Sequence, residues 1–470
     1  MTTLTLPPGP RGSFLWGSLP EFRRDMLGFF RRHAREYGDA VSFRFANRRV
    51  MLLSHPDLIE EVLVERHRQF TKHYALQLLR PTVGNGLLTS EGEFWLRQRR
   101  LIQPAFARER IDAYGPIMVE HTRRLIEDWR PGERRDLHDD MVRLTLGIVA
   151  KTLMDVDLSE DFNHVSAAQD VVLADFRNRF KTIPLPFWLP TPGNLRLKQA
   201  VARLDAVIHR IIEQRRAAGE DHGDFLSALL RARDAEDGRG MSDRQVRDEV
   251  MTMLLAGHET TANALSWLWY LLGRHPRVEE KLLAELREKL GDREARPEDV
   301  PRLPYTACVI HETMRLFPPA YAFGRRAVCD TEIGPYAVPA GTNVLMSQWV
   351  MHRDERWFEN PEEFLPERWE NGLAKTVSKY VYFPFGAGPR VCIGQQFAHM
   401  ELVLILATFL RRIAFRLEAE EIRPWPSVTL RPAGGVHALV EPRGGFPGLT
   451  GRAQPPMIQP EAIPSPEGLP

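Results

Sequence analysis

At 470 residues the chain fits one large domain or about three average ones. With 43% hydrophobic and 27% charged residues it can bury a large core, which excludes a disordered, collagen-like or disulfide-scaffold protein. The 63 Lys and Arg nearly cancel the 62 Asp and Glu, so there is no overall field to hold nucleic acid or an anionic membrane, and any charged docking patch must be local.

Three cysteines, Cys308, Cys329 and Cys392, cannot form a disulfide framework and fit a reducing, cytoplasmic setting. The opening MTTLTLPPGP lacks the basic and apolar regions of a secretory signal, and no later run reaches the ~18 apolar residues of a membrane span.

Val41, Phe43 and Phe45 alternate, and 50–53 follows Ala46-Asn47, which predicts a β-hairpin. The period turns helical over 57–64, and helical patterns then dominate to about residue 317, including 92–106, 141–153, 195–216, 242–273 and 277–290. Ser90-x-x-Glu93 is a capping-box pattern, after which Trp95 and Arg99 share one helix face. The stretch KTIPLPFWLPTPGN, 181–194, breaks the helical pattern and is either a lid or a packed connector.

The helix opening at Ser242 has Gln245 as its capping-box partner. Its middle, MTMLLAGHETTANALSWLWYLL, is apolar nearly all round apart from His258, Glu259, Thr260 and Thr261, and buried polar groups are costly unless paired or functional. Ala256-Gly257 removes bulk one turn earlier. The residues alone also allow Thr hydroxyls bonded back to helix carbonyls and a solvent-facing Glu259.

Glu312 and Arg315, three apart in the helical stretch 305–317, can pair. E-x-x-R occurs eight times in this chain, and copies such as Glu65/Arg68 and Glu120/Arg123 read as surface pairs. Only the copy at 312/315 leads into Pro318-Pro319, a strand region and a glycine-rich cysteine loop. Turn chemistry at 333–336 and 339–341 marks strands, and a last strand pair is expected near 427–440. Residues 1–443 read as one α+β domain, and the proline-rich 444–470 as a disordered tail.

In FPFGAGPRVCIGQQFAHMELVLILATFL, 383–410, glycines at 386, 388 and 394 permit tight turns, and Cys392 precedes a helix opening near Gln395. N–H donors and the helix dipole there would lower a thiol pKa and favour the thiolate that a soft-ligand metal site needs. An isolated cysteine is more often a small buried hydrophobe. Structural zinc would need Cys and His clustered at short spacing, which Cys308 and Cys329 lack, so those two read as core residues.

Phe385, Gly388, Arg390, Cys392 and Gly394 match F-x-x-G-x-R-x-C-x-G at every defining position. On this motif, and on others in the same order, the chain from about residue 7 to 443 resembles the cytochrome P-450 family. The resemblance implies a triangular, mainly α fold with smaller β-sheets, carrying haem b between the long helix and the helix of the cysteine loop. It makes Cys392 the iron ligand, sets Phe385 under the thiolate, and puts Gly386 and Gly394 in the haem-binding loop. It turns Trp95, Arg99, Arg390 and Arg325 towards the haem propionates, with Arg326 the alternative to Arg325. Ala256 and Gly257 would admit dioxygen and Glu259 with Thr260 would relay protons. Glu312, Arg315 and the Arg368 of Pro366-Glu367-Arg368-Trp369 would form a buried brace.

The activity so implied is a monooxygenase that inserts one oxygen atom from O2 into a hydrophobic substrate such as a fatty acid, terpene or steroid, by hydroxylation or epoxidation. Thiolate ligation favours O–O cleavage. Two electrons would come from NAD(P)H through a ferredoxin or flavodoxin with its reductase, to a monomeric cytoplasmic enzyme. Arg97 and Arg100 read as a basic docking face or as ordinary solvated charges. Candidate pocket segments are 76–88, 183–192, 320–323 and 434–436. A peroxide-driven peroxygenase and a haem gas sensor or carrier are the alternative readings.

Overall fold

A computed structural model describes residues 5–181, 185–219, 221–234 and 238–443. The tail at 444–470 and part of the 181–194 loop lie outside the described residues.

Short helices α1 (Leu19–Arg24) and α2 (Met26–Tyr37) precede a hairpin of β1 (Ala40–Phe45) and β2 (Arg48–Leu53). Phe43 and Phe45 point from β1 onto Phe22 and Phe29, closing a small aromatic core apart from the main one. After β3 (Phe70–Lys72) come α3 (Gly92–Ile102), α4 (Arg108–Glu127), β4 (Arg134–Asp136), α5 (Leu137–Met154), α6 (Phe162–Lys181), α7 (Pro192–Ala218) and α8 (Phe225–Arg231). The long helix is α9 (Asp243–Arg274), followed by α10 (Pro276–Leu290) and α11 (Pro304–Leu316). Strands β5 (Phe323–Ala327), β6 (Thr331–Ile333), β7 (Tyr336–Val338) and β8 (Asn343–Met346) then lead to the cysteine loop and α12 (Gln395–Leu410). The chain closes with β9 (Ile413–Leu417), β10 (Pro424–Pro426), β11 (Leu430–Pro432) and β12 (His437–Pro442).

The main sheet runs β1-β2-β8-β5-β3, with β2 and β8 parallel and its other pairs antiparallel. A second sheet has the order β4-β12-β9, and β6-β7 and β10-β11 are separate hairpins. The fold is thus mainly α with small sheets. Two strands do fall near 427–440, β11 and β12, but they do not pair with each other: β11 turns back on β10, whereas β12 joins β4 and β9. All three partners lie outside that window, which its local alternation had no means to reveal.

The capping box at Ser242 and Gln245 is present. The one expected at Ser90 and Glu93 is not: the helix starts a residue later behind Glu91, because Gly92 takes a positive φ and Glu91 is drawn away to the Lys72 backbone N–H and the Arg390 guanidinium. Cys308 is buried as expected, but Cys329 is exposed. In the 181–194 loop Leu185 and Trp188 project into solvent, so those two side chains do not serve as connector packing.

The most demanding electrostatics lie at α11. Glu312 and Arg315 are fully buried. The Glu312 carboxylate accepts Arg315 Nε and Nη2 at 2.8 Å, Arg368 Nε at 3.0 Å, Trp369 Nε1 at 2.8 Å and the Leu365 N–H at 2.9 Å. Arg315 spends its other donors on the carbonyls of His352, Pro361 and Glu363. His352 Nε2 accepts the Phe383 N–H at 3.0 Å, so the network reaches the first residue of the cysteine loop.

Removing either partner strands a buried charge, at a cost of about 3–5 kcal/mol. Glu312→Ala and Arg315→Ala are therefore expected to give little folded protein and to lower the melting temperature sharply. Glu120 lies in a half-exposed cluster with Arg123 and Arg124, and Glu120→Ala is expected to change stability by about 1 kcal/mol or less. Equal thermal unfolding midpoints for all three would contradict the brace.

Candidate active site

The cysteine loop is held by its own backbone. Cys392 N–H donates to Phe385 O at 3.0 Å and Val391 N–H to Gly388 O at 3.1 Å. Gly388, at φ 72°, is required because a Cβ there would stand 2.3 Å from Leu63 O. Gly386 also has a positive φ, whereas Gly394 has ordinary backbone angles and caps α12.

The Cys392 side chain is solvent-accessible although protein surrounds it on nearly every side. Burial raises its pKa, against the Gly394 N–H and the Arg99 guanidinium, which lower it. The helix terminus alone therefore does not produce the thiolate expected from the sequence, because desolvation outweighs it; coordination to a cation would favour the thiolate.

Trp95 and Arg99 both face this loop. Arg99 Nη1 donates to Val391 O at 2.8 Å, and Arg390 lies over the Trp95 ring at 4.9 Å. Lys72 of β3 and Arg325 of β5 stand directly opposite each other across the strands, and both are buried. Like charges so placed repel. Arg325 spends one donor on its neighbour's carbonyl, Gly324 O, at 3.1 Å, and burial plus Arg390 push its pKa down to about 10. Burial and Arg390 likewise push Lys72 down to about 7. Arg390 pairs with Glu91 at 2.5 Å but keeps Nη1 buried without a partner. The cluster thus has one unused buried donor for an anion, Arg390 Nη1, and Arg326, on the exposed side of β5, is not part of it.

These residues fit a haem: Cys392 would hold the iron, and Arg325, Arg390, Arg99, Lys72 and Trp95 would surround the propionates. Lys72 and Glu91 were not foreseen, because their role depends on strand pairing between residues far apart in the chain.

Across α9, accessibility divides the helix into faces. In the middle of the helix Ala256 is exposed and Leu255, Gly257 and Thr260 are half-buried while their neighbours are buried, and Thr260 Oγ1 donates to Ala256 O at 3.0 Å. Gly257 does not share that side: a Cβ there would lie 3.1 Å from Val149 of α5, so its small size serves helix packing. His258 bonds back to Leu254 O, and the two helices cross where Thr145 of α5 donates to His258 O at 3.1 Å.

Glu259, Asn263 and Trp267 form a third face, four residues apart, and all three bind the last hairpin. Glu259 accepts Arg431 Nε and Nη2 at 2.6 Å and Thr429 Oγ1 at 2.8 Å, Asn263 donates to Thr429 at 3.1 Å, and Trp267 Nε1 donates to Leu430 O at 2.8 Å. Burial works to raise the Glu259 pKa, but the Arg431 hydrogen bonds and charge outweigh it and hold the group at about 2. The expected Glu259–Thr260 relay is therefore not assembled here: a buried carboxylate needs a counter-charge, and Glu259 pairs with Arg431 on a face about 100° round the helix from Thr260.

The hairpin also bonds to 319–321, through Leu430 N–H to Pro319 O at 2.9 Å and Tyr321 Oη to Ser427 O at 2.8 Å. Segment 320–323 accordingly borders the site, and Phe323 lies 4.0 Å from a Cβ position on Gly386. Segment 434–436 does not: Val436 is buried, with its N–H on Asp136 at the second sheet. Arg97 and Arg100 approach the buried Asp234 at 3.6 and 3.4 Å, so they close a loop against α3 instead of forming a free basic face.

Losing a charge-assisted hydrogen bond costs about 1.5–3 kcal/mol. Arg325→Gln and Arg390→Gln are therefore expected to release haem about tenfold faster or more, in transfer to apomyoglobin, and Arg326→Gln at the wild-type rate. Faster loss from Arg326→Gln alone would reverse the assignment.

The sequence profile described as Cytochrome P450 matches residues 7–437. Cyclooctatin synthase of Streptomyces melanosporofaciens is 40% identical over 413 residues, covering 87% of this chain and 89% of that protein. Cyclooctat-9-en-7-ol 5-monooxygenase of the same organism is 40% identical over 396 residues, 84% of each chain. Pentalenene oxygenase of Streptomyces avermitilis is 32% identical over 394 residues, 83% of this chain and 87% of that one. With the profile spanning nearly the whole chain and such relatives matched along most of their length, the protein belongs to the cytochrome P450 family and is a haem monooxygenase.

Proposed function

We propose that the protein hydroxylates or epoxidises a terpene, with Cys392 as the residue that would hold the haem iron and Thr260 as the group that delivers protons at the reaction centre. The observation that carries this reading is the accessibility of Cys392, Ala256 and Thr260 within a heavily buried surround. Of the hydrophobic classes open to the sequence, the names of the relatives, with cyclooctat-9-en-7-ol and pentalenene as their compounds, favour a terpene. Haem bound at Cys392 supplies dioxygen reduction and oxygen-atom insertion.

The chain's own residues do the rest. Ala256 leaves room on the accessible side of the long helix, and Thr260 presents a hydroxyl there that already donates to Ala256 O and can exchange that bond for one to an oxygen at the reaction centre. Glu259 stays ionised under Arg431 and feeds protons only when that pair opens. Electrons come from NAD(P)H through a separate ferredoxin or flavodoxin system to a monomeric enzyme in the cytoplasm. A peroxide-driven reaction would need no such proton supply, so it is the weaker reading.

Two outcomes test this account. Thr260→Ala is expected to keep substrate binding and NAD(P)H oxidation in the presence of redox proteins, but to convert much of the flow to hydrogen peroxide. The ratio of product to NAD(P)H consumed measures it, and a wild-type ratio would remove Thr260 from the reaction. Full turnover with peroxide alone would favour the peroxygenase.

The second outcome concerns pH. Because the folded Glu259 pKa lies below the ordinary carboxylate value of about 4.3, its ion pair stabilises the fold above that value and is lost as pH falls towards 2. In Arg431→Gln, burial is opposed only by His258 and the Thr429 hydrogen bond, and the Glu259 pKa rises. The pH profile of product formation should then gain an inflection that the wild type lacks. Superimposable profiles would show that Glu259 does not feed the reaction.

A further inference from the structure

The turn from Ser13 to Gly17 pushes three consecutive large apolar side chains into solvent: Phe14 is 92% exposed, Leu15 70% and Trp16 41%. Scattered exposed apolar residues are ordinary, whereas a contiguous group marks an interaction surface. The turn is also rigid. Ser13 and Gly17 exchange both backbone hydrogen bonds at 2.9 Å, Ala46 N–H donates to Trp16 O at 3.0 Å, and Ser18 N–H donates to Arg44 O at 2.8 Å. Gly17, at φ 58°, admits no side chain, since a Cβ would stand 2.2 Å from Arg44 O. The tip is thus pinned to the β1–β2 hairpin and presented outward at no further ordering cost.

A basic collar surrounds it. Arg44 and Arg49 are exposed and directly opposite each other across β1 and β2, and Arg44 Nη2 reaches Phe14 O at 3.3 Å. Arg11 is exposed just before the turn. Among the described residues none of these three has an ion-pair partner. Glu21 and Asp25, the carboxylates beside α1, are already held by Arg32 at 3.1 and 2.8 Å.

We propose that this turn docks the protein on an anionic lipid surface. Phe14, Leu15 and Trp16 enter the headgroup and acyl boundary, and Arg11, Arg44 and Arg49 meet lipid phosphates. Two other occupants fit less well. A second copy would bring the same three cations against themselves. An electron-donating protein would sit at the wrong edge: β1 and β3 are opposite edges of the five-stranded sheet, four strand spacings or about 19 Å apart, and the cation cluster beside Cys392 is at β3. No described helix is long and apolar enough to cross a membrane, so the contact is peripheral and reversible. It sets the enzyme on the phase in which a hydrophobic substrate concentrates.

Co-sedimentation of the haem-loaded full chain with vesicles tests this. The wild type is expected to pellet with equal parts phosphatidylcholine and phosphatidylglycerol, more weakly at high salt, and to stay in solution with phosphatidylcholine alone. The double variant Phe14→Ser/Leu15→Ser should lower partitioning about tenfold or more, while Val328→Ser, an exposed apolar residue elsewhere, should match the wild type. Unchanged haem spectra in both variants confirm that the fold is intact. The proposal falls if the wild type does not pellet with the anionic vesicles, or if the turn variant pellets as the wild type does. It also falls if sedimentation without lipid shows a dimer that the turn variant dissolves, which would make the occupant a second copy.

Discussion

A fully buried carboxylate with five hydrogen bonds is the constraint on which the catalytic half of this molecule rests. Glu312 is tolerable in the core only because Arg315, Arg368, Trp369 and the Leu365 N–H all converge on it. Those partners come from separate segments, so satisfying one charge fixes α11, the 359–369 stretch and, through His352 and Phe383, the entry to the cysteine loop. Buried ion pairs seldom add net stability relative to an apolar core. What this one contributes is position: it dictates where the loop carrying Cys392 begins.

The long helix solves a second problem of the same kind. It is buried almost all round, yet carries polar groups on several faces, and each face is assigned a different neighbour. Gly257 and His258 serve the crossing with α5, Glu259, Asn263 and Trp267 anchor the final hairpin, and Ala256 with Thr260 share an accessible side linked by one hydrogen bond. Adjacent residues in sequence therefore have unrelated physical roles. The Arg431–Glu259 pair ties the chain's last hairpin to the long helix, one residue from Thr260.

The helices and the first hairpin were legible because their periodicity is local. The spacing of Phe385, Gly388, Arg390, Cys392 and Gly394 was legible because one loop contains it. The Glu312–Arg315–Arg368 brace was reached only through the order of motifs, since Glu120 and Arg123 show the same local pattern on the surface. Lys72, Glu91, Thr429 and Arg431 were missed, and the misplaced pocket segment 434–436 has the same origin. All depend on which strand meets which element across hundreds of residues, and strands of three residues, such as Phe70–Lys72 and Leu430–Pro432, are too short to announce themselves by alternation. The faces of α9 were half legible: the spacing 259, 263, 267 was present, but nothing local named its partner.

The central claim is that Cys392 is the thiolate ligand of the haem iron, and the absorption spectrum of the reduced, carbon monoxide-bound protein tests it most directly. Wild type, Cys308→Ala and Cys329→Ala should all show the long-wavelength band of a thiolate-ligated haem, and Cys392→Ala should lack it. Retention of that band by Cys392→Ala, with haem still bound, would contradict the account.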